Sequence, residues 1–261
     1  MRRALISFLV LLSVTGCDER RPLDLDAGSP DGGSRDSGAS DGGIVDAGPV
    51  DAGSTDAGSP TGVGALSGSC GELDAELASP LSFRFAAALD LPPDFDIETD
   101  AARLSEGGQE ILRDGTAGGS SVESEAFAYE LLFRCDGALL LKTETEIDYT
   151  DPSGKKTDFL VSLGGTRIGV SVTRAVGFPR DDPYPVSQAT ALLEDKLADI
   201  ADSSANVAAA DDWAKQILFV VAYGPMHGES VATAWDALPA ASRGDAILYV
   251  MVTDGADEFL Y

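Results

Sequence analysis

Residues 155–175 read KKTDFLVSLGGTRIGVSVTRA, and the fold turns on this stretch. Two apolar runs, Asp158 to Leu163 and Arg167 to Arg174, flank Gly164-Gly165. Adjacent glycines supply the positive φ that a two-residue turn needs, so the stretch predicts a β-hairpin.

The pattern extends outward on both sides. Ser120-Ser121-Val122-Glu123 has the spacing of a capping box and predicts a helix to about Arg134, with Phe127, Glu130, Leu131 and Arg134 at helical intervals. Ala138 to Tyr149 alternates, with Leu139, Leu141, Thr143, Thr145 and Ile147 on one side and Lys142, Glu144, Glu146 and Asp148 on the other, which predicts a strand. Asp151-Pro152-Ser153-Gly154 is a turn. Beyond the hairpin, Ser187 to Ser203 predicts a helix that buries Leu193, Leu197 and Ile200. Gln216 to Tyr223 is a nearly continuous apolar run, as in a strand covered on both faces. Glu229 to Leu238 predicts a helix and Ala246 to Val252 a last buried strand. The order α-β-β-β-α-β-α-β gives an α/β fold, a three-layer sandwich around a mixed β-sheet, over residues 120–261. Residues 65–119 form an N-terminal extension with weaker patterns: Ser82 to Phe85 alternates like a strand, Leu91-Pro92-Pro93 breaks it, and Glu106 to Gly119 reads as a Gly-rich loop with one short helix near Glu110 to Arg113.

With the hairpin in its middle, this order resembles the PD-(D/E)XK nuclease superfamily, the restriction-endonuclease-like fold, over about residues 120–252. The resemblance implies an aspartate at the head of the second core strand and an acid-x-Lys pair on the third. The carboxylates hold Mg²⁺, which activates water and stabilises charge on a phosphate. Asp158 matches the aspartate, whereas Ser171 and Thr173 stand where the acid and the lysine belong. A serine brings no charge to a hard cation, a threonine brings no ammonium, and Arg174 belongs to the opposite face of the strand. The resemblance further implies a helix carboxylate, Glu130 or Glu125, and a glutamine on the following helix, Gln188. Asp158 reads equally as an ordinary aspartate at a strand start. Glu144 and Glu146 read as a solvated strand face, with a migrated acid site as the sharper alternative.

Other chemistry is sparse. His227 is the only histidine, no Gly-x-Ser-x-Gly elbow accompanies it, and no GxxxxGK[ST] loop occurs. Trp213 and Trp235 fit helix faces as core residues.

The N-terminal part indicates where the domain works. MRRALISFLVLLSVTGC has a basic start, a short apolar run and small residues before Cys17, which resembles a bacterial lipobox and predicts a signal peptide over residues 1–17 with Cys17 lipidated. In residues 18–64 an Asp-x-Gly unit recurs every five residues from Asp26 to Asp56. So little apolar area and so much like charge predict a disordered spacer; a calcium repeat would need an apolar position in every unit. The whole chain carries a formal charge of −26. Most of that charge falls after residue 64, and no basic run is visible, so nucleic acid is not an expected partner. Cys70 and Cys135 form an even pair suited to an oxidising compartment, either bridged or as buried free thiols.

The functional expectation is a cell-envelope protein, lipid-anchored to the inner or outer membrane with its domain in the periplasm or on the cell surface. On this reading it is a binding or assembly module without an enzymatic role or cofactor, with the membrane and an envelope protein as partners. The alternative is a metal-dependent phosphodiesterase using Mg²⁺ or Mn²⁺ at Asp158 with strand or helix carboxylates. Cys17→Ala should move the protein out of the membrane fraction or leave its signal uncleaved; fractionation with intact-mass measurement reads both, and normal processing with full membrane retention would exclude lipidation.

Overall fold

The structure is a computed structural model and describes residues 63–116, 121–180 and 182–261. The signal segment, Cys17, nearly all of the 18–64 spacer and Ser120 lie outside the described residues. Among the described residues no helix is long and apolar enough to cross a membrane.

The hairpin forms as expected. Strand β4 (Phe159–Leu163) turns through Gly164 and Gly165, at φ 55° and 85°, into β5 (Thr166–Ala175). Both values lie where a side chain would be strained. It sits within one seven-stranded sheet. The other strands are β1 (Ala65–Gly68), β2 (Phe83–Asp90), β3 (Leu139–Thr143), β6 (Lys215–Ala222) and β7 (Ile247–Asp254), in the order β1-β2-β7-β6-β5-β4-β3. Strands β3, β4 and β5 form an antiparallel meander, β5, β6, β7 and β2 are parallel, and β1 is antiparallel to β2.

Helices cover both faces. The chain has short α1 (Ile97–Asp100) and α6 (Ala240–Arg243), and longer α2 (Glu106–Asp114), α3 (Val122–Asp136), α4 (Val186–Asn206) and α5 (Pro225–Ala237). One core joins Ile111 of α2 and Phe127, Leu131 and Leu132 of α3 to Phe159, Val170, Phe219 and Tyr249 of the sheet. The other joins Leu193 and Leu197 of α4 and Trp235 of α5 to Leu218, Val220 and Leu248. Period-two alternation divides β6 between the two layers. The three-layer α/β sandwich with a mixed sheet is therefore the fold of the described domain.

Several local expectations change. Residues 65–119 supply β1 and β2, and β2 pairs along its whole length with β7, so this segment completes the sheet. Within the Gly-rich stretch, Glu106–Asp114 form helix α2, nine residues long, because Gly107 lets it lie against the Tyr129 ring; a Cβ there would come within 2.4 Å of that ring. Helix α3 takes Ser121 as its N-cap without a capping side-chain bond, and the Ser121 hydroxyl donates to Glu125 Oε1 at 2.7 Å; the Ser120 end of the predicted capping box lies outside the described residues.

Strand β3 ends at Thr143 and does not reach Tyr149. A register shift between Leu140 and Lys142 leaves Leu139 and Leu141 exposed, while Leu140 packs on the core. A bulge changes which residues face inward, which is why the predicted alternation fails. The chain then turns away because buried Asp211 accepts both Lys142 Nζ at 2.6 Å and the Asp148 N–H at 2.7 Å. Glu144 and Glu146 are thus turn residues. Trp213 lies between α4 and β6 instead of on a helix, and its indole N–H donates to Ser204 Oγ at 3.1 Å.

Cys70 and Cys135 are bonded, which ties the segment after β1 to the end of α3 across 65 residues of sequence. Closing a loop of that length stabilises the fold by about 4 kcal/mol in the chain-entropy account. Cys70→Ser with Cys135→Ser should lower the denaturation free energy by roughly 2–5 kcal/mol without loss of helical circular dichroism; an unchanged urea midpoint would show that the bridge contributes nothing.

Candidate functional site: a carboxylate cleft at the head of the hairpin

Asp158 immediately precedes β4. Its N–H donates to Val170 O at 3.1 Å, and its Oδ2 accepts the Val172 N–H at 2.5 Å. The side chain thereby takes over the hydrogen bonding of β5 where the backbone of β4 peels away. The aspartate has a structural duty whatever else it does.

A cleft of about 460 Å³ opens beside it, between the start of α3, the turn after β3 and the 152–156 loop. Glu125, Glu144 and Asp158 line it, with Ser121, Lys155 and Lys156. Glu125 is 2% exposed, one turn into α3. Burial first, then the negative charge of Asp158, pushes its carboxyl up to about 8, against the pull of the Ser121 hydroxyl. Burial also raises Asp158, to about 7; the Val172 N–H pulls it down and Glu144 pushes it up. Two carboxyls that disfavour each other's charge hold protons as a pair near neutrality.

The lysines compensate little. Lys155 reaches Asp199 of α4 at 2.6 Å, and the Lys156 ammonium lies 6.0 Å from the centre of the Tyr149 ring. Among the described residues, the acidic trio whose ligand atoms all fall within 4.8 Å of one another is Glu110, Asp114 and Glu146, not the three in this cleft.

The sequence-predicted residues part company. Ser171 lies on the α4 side of β5, where its hydroxyl donates to Gln216 Oε1 at 3.4 Å. Gln216 is 2% exposed and is also held by Thr157 Oγ1 at 3.0 Å and Ser203 Oγ at 2.8 Å. Thr173 follows two residues later on the same side, while Val172 between them packs toward the α3 core. Asp158 therefore meets β5 at the Val172 backbone, with no carboxylate or ammonium of Ser171 or Thr173 to join it. Glu130 is buried away from the cleft, where its Oε2 accepts the Ser105 N–H at 2.9 Å at the start of α2. Gln188 is exposed in the first turn of α4 and does not line the cleft. His227, 6% exposed in the first turn of α5, stacks on Tyr184 at 5.4 Å, and burial lowers its pKa.

Of the two helix carboxylates, the one near Asp158 is Glu125. Lys155 and Lys156 carry no spacing motif; their place after a Pro-Ser-Gly turn and just before Asp158 was the only available signal.

No family model matches the chain. One curated relative, the AAC-rich mRNA clone AAC4 protein of Dictyostelium discoideum, is 35% identical over 199 residues, covering 74% of this chain. The chain spans 27% of that relative's length. Among solved structures, Pyrococcus furiosus SfsA in complex with Ca²⁺ overlaps 51% of this chain and 58% of its own, at 15% identity and a TM-score of 0.26. The architecture rests on strand order and register, independent of that likeness.

The acid pair gives the site a measurable pH signature. Both carboxyls have folded-state values raised above the ordinary ones, 4.5 for Glu125 and 3.8 for Asp158. The folded state therefore binds protons more tightly than the unfolded chain. The pair's contribution is fully present below the unfolded values and is lost as pH rises through about 7 and about 8. Glu125→Gln should match wild type in urea midpoint near about pH 4 and exceed it near about pH 9. Parallel curves for the two proteins across that range would refute the coupled pair.

Proposed function

We propose that this is a lipid-anchored protein of the cell envelope whose α/β domain is a nuclease-like fold used for binding or assembly, without metal-dependent catalysis. The succession α3-β3-β4-β5-α4-β6 supports the nuclease-like reading, with its antiparallel meander, parallel crossover and aspartate at the head of β4. One observation carries the non-catalytic reading. Strand β5 offers Asp158 a backbone N–H from Val172, and Ser171 and Thr173 bring neither a second acid nor a lysine. A divalent ion would have to recruit Glu125 and Glu144 instead, and the three acids do not gather within a coordination sphere. Anchoring and envelope location rest on the Val14-Thr15-Gly16-Cys17 run, and the bonded Cys70–Cys135 pair suits an oxidising compartment.

The convergence of Glu125, Glu144 and Asp158 in one cleft with two lysines favours a second reading, a metal-dependent phosphodiesterase with a rearranged site. Asp158 and Glu125 would hold Mg²⁺ or Mn²⁺, which would activate water and offset charge on a phosphate. Lys155 or Lys156 would lie close to the anion.

Cation linkage separates the two. A ligand at a hundred times its Kd stabilises by about 2.7 kcal/mol, and each kcal/mol moves the Tm of a domain this size by roughly 2–4 °C. Millimolar Mg²⁺ or Mn²⁺ should leave the Tm unchanged. A rise of several degrees that Asp158→Ala abolishes would overturn the non-catalytic reading in favour of the second.

A further inference from the structure

A second feature lies at the β3 edge of the sheet. A groove of about 500 Å³ runs between α2 and β3, floored by Tyr129 and Phe133 of α3, whose rings stack with centroids 6.2 Å apart. Leu139 and Leu140 form one wall, and Leu139 is 61% exposed. Glu106 and Glu110 of α2 line the other wall. Asp114 continues that row, since residues four apart share a helix face. Glu110 also joins Asp114 and Glu146, outside the groove lining, with carboxylate oxygens within 4.8 Å of one another. Among the described residues no lysine or arginine is ion-paired with Glu106, Glu110 or Glu146, and Asp114 has only its chain neighbour Arg113, at 3.8 Å.

The groove thus sets an apolar floor and wall against an acidic wall of Glu106 and Glu110, with the charge of Asp114 and Glu146 gathered at Glu110. Two N–H groups of β3 are already used, Leu140 by the Tyr129 hydroxyl at 3.3 Å and Thr143 by Glu146 Oε2 at 3.0 Å. A partner therefore gains little from extending the strand ladder, and recognition falls on side chains. The α2 carboxylates recur every four residues, about 6 Å along the helix, close to two residues of extended chain.

We infer that this groove binds an extended segment of a partner protein that places an apolar side chain against Tyr129, Phe133 and Leu139 and carries Lys or Arg at alternate positions. The inference rests on the binding-module reading above and gives that module a partner class. The occupant follows from charge complementarity: a cation relieves the crowding at Glu110, Asp114 and Glu146, whereas an anionic membrane surface or a nucleic acid increases it.

The probe is a short fluorescein-labelled peptide of alternating leucine and lysine, titrated by anisotropy into the purified full chain with EDTA present. Saturable binding should weaken roughly tenfold in Leu139→Asp and several-fold in Glu110→Gln. It should be unchanged in Glu194→Gln, an exposed acid on α4. Leu139 lies on the exposed edge, so circular dichroism should report an intact fold. No saturable binding, or equal weakening by Glu194→Gln, overturns the groove, the latter because it would mean diffuse attraction to an acidic protein. Chelation keeps the two readings apart. A Tm rise with Mg²⁺ that Asp158→Ala abolishes, alongside groove binding, sinks the non-catalytic reading and leaves the groove, and a silent cation response without peptide binding sinks the groove alone.

Discussion

All eight residues of β6, from Lys215 to Ala222, are buried. A strand without a solvent face must be covered on both sides, and parallel neighbours require crossovers long enough to do the covering. Helices α4 and α5 are those crossovers on one side. Helices α2 and α3 close the other, before the chain enters the meander. The two polar side chains of β6 are accommodated individually. Lys215 reaches Glu76 O and Leu81 O at 3.0 and 2.9 Å, and Gln216 is satisfied by hydroxyls from α4 and the head of β4. A buried amide that lost these partners would cost on the order of 1–3 kcal/mol, so Gln216 constrains what can stand at Ser171 and Thr157.

That constraint bears on the candidate site. A glutamate at Ser171 would enter the Gln216 network and replace a hydroxyl that bonds to buried Gln216 with a charged group. The carboxylate cleft lies elsewhere, at the fork where β4 separates from β5, and depends on the first turn of α3. Fold and cleft are joined through the Asp158–Val172 hydrogen bond, which closes the fork and holds a carboxylate at its mouth.

How much of this was legible follows from the range of each signal. Gly164-Gly165 and the apolar runs of β6 and β7 are local, and they placed the hairpin and the buried strands. Strand β2 was faint because FRFAAALD has small residues along its second half, and its parallel match with β7 joins segments far apart in sequence. Helix α2 was hidden because Gly107 and Gly108 lower its propensity while improving its packing on Tyr129. The bulge in β3 and the grip of Asp211 on Lys142 and Asp148 depend on a residue more than 60 positions away, which no window over 138–149 contains. Cleft residues Lys155 and Lys156 had no pattern to announce them.

On β5 the outcome depends on a single face. Counting from Asp158 across the hairpin puts Ser171 directly opposite it, because Phe159 pairs with Val170. Partners in an antiparallel ladder share a face, as Phe159 and Val170 do, but the ladder ends at that pair and Asp158 lies beyond it, so the count does not carry over to Asp158. Ser171 and Thr173 look toward α4, Val172 looks toward α3, and the acid that approaches Asp158 comes from α3. A carboxylate on β5 able to join Asp158 and Glu125 would therefore have to replace Val172, one position from the place that the motif spacing indicates. A shift of one residue reverses every side chain of a strand. Which residue of β5 can meet Asp158 is thus set by where the ladder with β4 stops, which motif spacing does not show.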